Sequence, residues 1–276
     1  MRILVTGGAG FIGSHLVEAY LDAGHEVAVI DNLVTGKLEN LPQGRICFFH
    51  VDITDRRAVR EAIAAFRPDV VNHHAAQMSV KVSTDRPVFD AENNVIGLLN
   101  VLEACVDNGV RKVIFASSGG TVYGDSAQIP SPETAPMAPM SPYGITKMVG
   151  EHYLRYFKQM HGLDHTILRY GNVYGPRQDP HGEAGVVAIF ARRLLSGQAP
   201  VIHWDGEQRK DYVHVRDVAR ANLAALARGS GEVFNIGAGT ATSVNELYSV
   251  LEDQIGSGIR PTYGPKREGD VRLSYL

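Results

Sequence analysis

Residues 2–6, Arg-Ile-Leu-Val-Thr, are a short apolar run that leads straight into Gly7-Gly8-Ala9-Gly10-Phe11-Ile12-Gly13, and helical apolar spacing follows from Phe11 to Ala23. A buried strand that turns on glycine into a helix is the most restrictive pattern in the chain. Gly7 permits the tight turn, Gly10 lets a pyrophosphate approach the backbone, and Gly13 lets helix and strand pack closely. The helix start then offers amide donors and the positive end of its dipole to phosphate. Taken alone, the glycines fit a plain turn as well as a dinucleotide site; their place between strand and helix favours the site. The next strand, Glu26 to Ile30, ends in Asp31. An acid there accepts the hydroxyls of an adenosine ribose and repels a 2′-phosphate, so NAD is expected rather than NADP. Asn32, Leu33 and Gly36 are expected to line the same groove.

The alternation continues. Cys47 to Val51 reads as a strand followed by Asp52-Ile53, with Asp52 placed to meet an adenine amino group. Thr54 or Asp55 caps a helix through Ala65, and Asp69 to His73 is the next strand. His74-Ala75-Ala76-Gln77 then supplies small residues for a loop pressed against a cofactor. A mostly apolar helix spans about Asp90 to Asp107, and Arg111 to Ala116 is a further strand. This order predicts an α/β fold with a doubly wound parallel sheet, its ligands at the carboxyl ends of the strands. Ser117-Ser118-Gly119-Gly120-Thr121-Val122-Tyr123-Gly124 leaves one such end. Ser141 suits a helix N-cap and Pro142 the first helical position, so Tyr143 and Lys147 stand one turn apart on one face. An ammonium beside a phenol favours the phenolate, which predicts a general base for a hydroxyl proton.

The chain has 276 residues, enough for one large α/β domain or a domain with an appendage. A formal charge of −3 excludes a general basic field for nucleic acid or anionic membrane. Two cysteines, Cys47 and Cys105, make no disulfide framework, and no run resembles a signal peptide or a membrane span. A cytoplasmic protein is expected. His161 and His165 are interrupted by Gly162, and His73-His74 has no third ligand nearby, so no metal is expected.

Thr6 to Gly13, Asp31-Asn32-Leu33, His74 to Gln77, Ser117 to Gly124, Tyr143-x-x-x-Lys147 and Leu168-Arg169-Tyr170-Gly171-Asn172-Val173-Tyr174-Gly175-Pro176 occur in that order. Together they resemble the extended short-chain dehydrogenase/reductase superfamily, in its NAD-dependent sugar epimerase/dehydratase group, and within that group the 4-epimerases of UDP-glucose and UDP-galactose. The resemblance implies a Rossmann domain over about residues 1–172. It implies a smaller substrate-binding lobe over 173–276, with some chain returning to the Rossmann sheet. It implies epimerisation at C4 of a UDP-hexose, N-acetylated forms included, through a 4-keto intermediate. Tyr143 would be the base, and Lys147 would hold the nicotinamide ribose. The helper hydroxyl of such enzymes falls on Gly119, which has none; Ser118 or Thr121 would substitute, with Ser118 preferred. The resemblance adds Phe11, Ile12, Ile53, Ala75, Ala76, Gln77, Asn94, Ser117 and Tyr170 to the cofactor set. It adds Ser79, Asn172, a cation at Arg209 or Lys210, Arg267 and Asp270 to the substrate set. Ser274 would leave room for an N-acetyl group. Members usually continue past the position of Leu276 into a closing helical segment, which implies a trimmed chain or altered stability. The two long apolar helices imply a homodimer.

Three rivals remain. A 4,6-dehydratase needs an acid and a base where Gly120 and Thr121 stand. A reductase consuming NADPH conflicts with Asp31. A non-catalytic NAD-binding sensor conflicts with the intact Tyr143–Lys147 pair, although Gly119 leaves it open. In the second half, Asp164 to Arg169 is expected as a strand, Gly175 to Gly185 as a loop, Val186 to Ser196 as a helix, Asp205 to Lys210 as a polar turn, and Ser243 as a cap on a helix toward Leu251.

Overall fold

The structure is a computed structural model, which describes residues 1–126, 128–181, 185–266 and 271–276. Its first half is β1 (Arg2–Thr6), α1 (Phe11–Asp22), β2 (Glu26–Asp31), β3 (Cys47–His50), α2 (Arg56–Phe66) and β4 (Val70–His73). Then come α3 (Val80–Asp85), α4 (Pro87–Ala91), a π-helical stretch at Glu92–Ile96, α5 (Gly97–Asp107) and β5 (Lys112–Ser118). The single turn α6 (Gly119–Val122) precedes α7 (Pro142–His161) and β6 (Asp164–Tyr170). The remainder is β7 (Asn172–Tyr174), α8 (Val186–Leu195), β8 (Val201–His203), β9 (Arg209–His214), α9 (Val215–Ala225), β10 (Glu232–Ile236), β11 (Ala241–Ser243), α10 (Val244–Ile255), β12 (Thr262–Gly264) and β13 (Leu273–Ser274).

Seven strands form one parallel sheet in the order β10-β6-β5-β4-β1-β2-β3. Both faces are covered, which is why β1, β4 and β5 read as apolar runs rather than alternating ones. On one face Val59 and Ile63 of α2, Leu98 and Leu102 of α5, and Leu154 and Phe157 of α7 bury against Leu4, Val71 and Phe115. On the other, Leu16, Val17 and Tyr20 of α1 pack with Ala219 of α9 over Ile3, Val5 and Val29. Each such side chain contributes roughly 1.5–3 kcal/mol on burial. The last sheet strand, β10, comes from the second half of the chain and lies beside β6. A smaller lobe holds β9 between β11 and β13, a β8–β12 pair, and a satellite core of Phe190, Ile202 and Val244.

Two local readings are corrected. The expected polar turn at 205–210 gives way at Arg209, which begins β9, because pairing with β11 and β13 recruits polar residues into a ladder. The helix expected from Asp90 starts at Pro87, whose ring suits a first helical turn, and carries the π stretch within it. Gly119 to Val122 forms a single helical turn directly after β5. The α7 reading holds at its start: the Ser141 hydroxyl accepts from Gly144 N at 3.1 Å with Pro142 at the first position. The helix then runs on to His161, where Gly162 ends it at φ +70°.

His165 on β6 is 2% exposed, and neither ring nitrogen has a hydrogen-bond partner among the described residues. Burial, reinforced by the nearby Lys158 charge, pushes its pKa down to about 4. The folded state thus keeps this ring neutral while the unfolded chain gains a proton below about pH 6.5. Stability is full above that pH and is lost as pH falls toward 4. His165→Leu is expected to flatten this dependence: urea midpoints at pH 5 and pH 8 should converge relative to the parent. An unchanged gap between the two midpoints would refute the assignment.

Candidate active site

A cleft opens at the carboxyl ends of β1, β2, β4 and β5, with ≈ 1040 Å³ of empty space, part of it open solvent. Gly7, Gly10, Phe11, Ile12, Gly13, Asp31 and Asn32 line one end, and Ala75, Ala76, Ser117, Tyr143, Lys147 and Tyr170 the other. The glycines are required by contact. Gly7 has φ +69°, and a Cβ there would meet Ala75 N at 2.7 Å. A Cβ on Gly13 would lie 2.1 Å from Gly7 O. At Gly10 the nearest protein atom to such a Cβ is Gly7 O at 3.3 Å, so that face of the turn is open for phosphate. Asp31 is 6% exposed, and its carboxylate accepts from Ala9 N at 2.9 Å and Leu33 N at 2.8 Å. Gly36 lets the following loop close over it, since a Cβ there would sit 2.7 Å from Asp31 Oδ1. This cradle and acid fit NAD.

At the opposite end, the Ser118 side chain acts on the Tyr143 phenol and favours its ionised form. Thr121, the other candidate helper, has a buried hydroxyl oxygen with no partner among the described residues. A Cβ on Gly119 would meet Leu276 Cδ1 at 2.5 Å, so a side chain here requires Leu276 to shift. Lys147 is 4% exposed, donates to Ala116 O at 2.9 Å, and lies 5.7 Å from the Tyr143 ring centroid. The expectation that lysine alone brings the phenol toward neutrality is corrected. Burial pushes Tyr143 above its ordinary range, the Asp90 charge adds to this, and only the Ser118 side chain opposes it. Burial likewise brings Lys147 down to about 8 against the pull of Asp90.

A buried hydrogen-bond chain backs this wall. Asn222 Nδ2 donates to Val218 O and to Tyr170 OH, both at 2.8 Å. The Tyr170 hydroxyl and His74 Nε2 share a hydrogen bond at 2.9 Å. Burial and Lys147 push His74 down to about 3, so it stays neutral.

Other expected residues are placed differently. Asn94 lies behind the cleft, not in it: its side chain bridges Gln77 N, Gln77 O and Asp90, while Asn93 lines the space. Gln77 is likewise held by Ser79 and Asp90. The Leu33 side chain packs with the β2 core instead. Ser117 spends its hydroxyl on Glu151 at 2.6 Å. Asp52 accepts from Thr54 and Asn32, while its neighbour Ile53 lines the cleft. Ser79 caps α3 through Val82 N at 3.0 Å. Asn172 starts β7, its Oδ1 4.0 Å from where a Gly120 Cβ would stand. Arg209 is paired with Glu246 at 2.8 and 3.0 Å and sits beside Lys210 on β9. Arg267 and Asp270 lie outside the described residues.

Sequence reading missed two groups. Glu151 continues the four-residue series of Tyr143 and Lys147, a spacing that could have revealed it. Its carboxylate takes both Nε and Nη2 of Arg169, at 2.8 and 2.6 Å, with side chains 0% and 2% exposed. Asp90 is also fully buried beside the pair, and no spacing announced it.

A profile of the NAD dependent epimerase/dehydratase family matches residues 3–237. The chain belongs to that family. Among relatives, the UDP-glucose 4-epimerase of Mycolicibacterium smegmatis is 46% identical over 281 residues, covering 100% of this chain and 90% of that protein. The crystal structure of Thermotoga maritima UDP-glucose 4-epimerase with UDP-glucose superposes with TM-score 0.98 at 50% identity, covering 100% of this chain and 89% of the other. The Thermus thermophilus UDP-glucose 4-epimerase complex with NAD gives TM-score 0.94 at 49% identity, with 100% and 90% covered. The family's NAD dependence agrees with the Gly7–Asp31 cradle. No described helix is long and apolar enough to cross a membrane, and no cluster of three or more His, Cys, Asp or Glu lies among the described residues.

Proposed function

We propose that this epimerase/dehydratase family member interconverts the C4 epimers of a UDP-hexose, UDP-glucose and UDP-galactose first among them. The observation that carries the reading is Tyr143 beside Lys147, 5.7 Å from ring centroid to Nζ, in the wall of a cleft shaped for NAD. Gly7, Gly10, Gly13 and Asp31 would hold the adenosine diphosphate part, and Lys147 the nicotinamide ribose. NAD held there would supply the acceptor and then the donor of the C4 hydrogen. Tyr143 removes the 4-hydroxyl proton, with Ser118 as relay, and returns it after the 4-keto sugar has turned over. Burial leaves the free phenol protonated, so its use as a base requires positive charge nearby, which the Lys147 ammonium carries. Asn172 and a cation at Arg209 or Lys210 are assigned to the nucleotide sugar, with Arg267 and Asp270 kept as candidates for its diphosphate and ribose.

Gly120 and Thr121 in α6 supply neither the acid nor the base of a dehydratase. Val88, Ile96, Tyr156 and Met160 are exposed apolar residues on the α4–α5 and α7 helices, which supports a homodimer built there. Unpaired Cys47 and Cys105 suit a cytoplasmic setting. Incubating the NAD-loaded protein with UDP-galactose and no reductant is expected to give UDP-glucose by proton NMR. Formation of a 4-keto-6-deoxy sugar would move the assignment to dehydratase, and an unchanged spectrum would leave a binding protein.

A further inference from the structure

Asp90 is 0% exposed. Its Oδ1 accepts from Gln77 Nε2 at 2.7 Å and Asn94 Nδ2 at 2.9 Å, and its Oδ2 from Thr146 Oγ1 at 2.9 Å. All three donors are neutral, and no ion pair reaches this carboxylate among the described residues. Its hydrogen bonds are satisfied, but its charge is not neutralised by contact. A charge removed from water in this way needs compensation from nearby.

Lys147 has the complementary problem. It is 4% exposed, bonded to the Ala116 carbonyl, and in no ion pair among the described residues. Thr146, which precedes it, is the residue that touches Asp90. The other charged or titratable groups around Lys147 are accounted for. His73 and His74, from the end of β4, are held neutral by burial at about 3. Tyr143 is on its own helix, and β5 presents the Phe115 ring at 5.1 Å. Glu151, one turn further on, is matched by Arg169. Asp90 is the carboxylate left over, and its field acts on both Tyr143 and Lys147.

We infer that Asp90 is a positioning residue that serves as the counter-charge of Lys147, holding it as an ammonium and setting the pH window in which the Tyr143–Lys147 pair works. The inference rests on the acid–base reading of that pair. A fixed negative charge favours the cationic lysine and opposes the phenolate. Removing it lets Lys147 lose its proton at lower pH, and lets Tyr143 lose its proton at lower pH as well. Both effects run acidward.

The test is Asp90→Asn. The acid and alkaline limbs of the kcat/KM profile are both expected to move to lower pH, by about one unit. The ultraviolet phenolate titration that disappears in Tyr143→Phe should move the same way. Thr146→Val keeps the charge and removes the hydrogen bond, so it should lower the plateau with both limbs in place. A lowered plateau with unmoved limbs in Asp90→Asn would show a merely structural carboxylate and overturn the inference. Should Asp90→Asn fail to fold, Asp90→Ser is read in the same way, since the serine hydroxyl and a water can together take up the three donors. If the parent protein shows no epimerisation, the phenolate titration still decides the coupling, which separates this failure from failure of the assigned reaction.

Discussion

Tyr143→Phe is expected to lower kcat by about 10²- to 10⁴-fold, the usual worth of one positioned acid–base group. The ring would keep its packing, because only the hydroxyl is lost. KM for the sugar nucleotide and the bound NAD content should therefore change little. That split separates a group used in the transition state from one used for binding. Ser118→Ala should give a smaller loss in the same direction, because Tyr143 remains and only the relay goes. A Tyr143→Phe protein retaining a tenth or more of parental kcat would remove the phenol from its assigned role.

The second large effect concerns the scaffold under the site. Arg169→Met leaves Glu151 buried with Ser117 and a distant Arg155, at 3.7 Å, for partners. Breaking a buried pair from one side costs about 3–5 kcal/mol, a large part of the roughly 5–15 kcal/mol that holds a domain folded. The double variant Glu151→Leu/Arg169→Met should recover most of that loss, since it removes both charges from the interior. Arg169 also donates to Tyr123 OH at 2.7 Å, and Tyr123 donates to Asn235 on β10 at 2.8 Å. The pair thus ties α7, with its Tyr143 and Lys147, to the returning strand. Urea denaturation of the two variants checks this. A single variant within roughly 1 kcal/mol of the parent, the range of an exposed pair, would contradict the buried-pair account.

The parts legible in sequence are those written in local chemistry. The β1–glycine–α1 unit announces itself because Gly10 and Gly13 answer contacts with the turn a few residues earlier, and Gly7 answers that turn's positive φ. The start of α7 does so through Ser141 and Pro142, and Asp31 through its place at a strand end. The rest depends on residues far apart in the chain. Strands of two or three residues, such as β7 and β13, carry no periodicity to read. Arg209 and Lys210 look like a solvated pair until β11 and β13 are laid beside them. Asn94 has the composition of a ligand residue, but Asp90 and Gln77 claim its side chain before any ligand can. Asp90 itself resembles an ordinary helix acid, and only the fold brings it beside Tyr143 and Lys147.

The central claim is that the C4 hydrogen of the sugar leaves and returns inside the cleft while Tyr143 handles only the hydroxyl proton. The direct measurement is conversion of UDP-galactose to UDP-glucose in deuterium oxide, followed by NMR at C4. The account predicts product with protium retained at C4 and no solvent deuterium on carbon. Deuterium appearing at C4 as the epimers equilibrate would mean that a base removes the carbon-bound proton to solvent, and would contradict it.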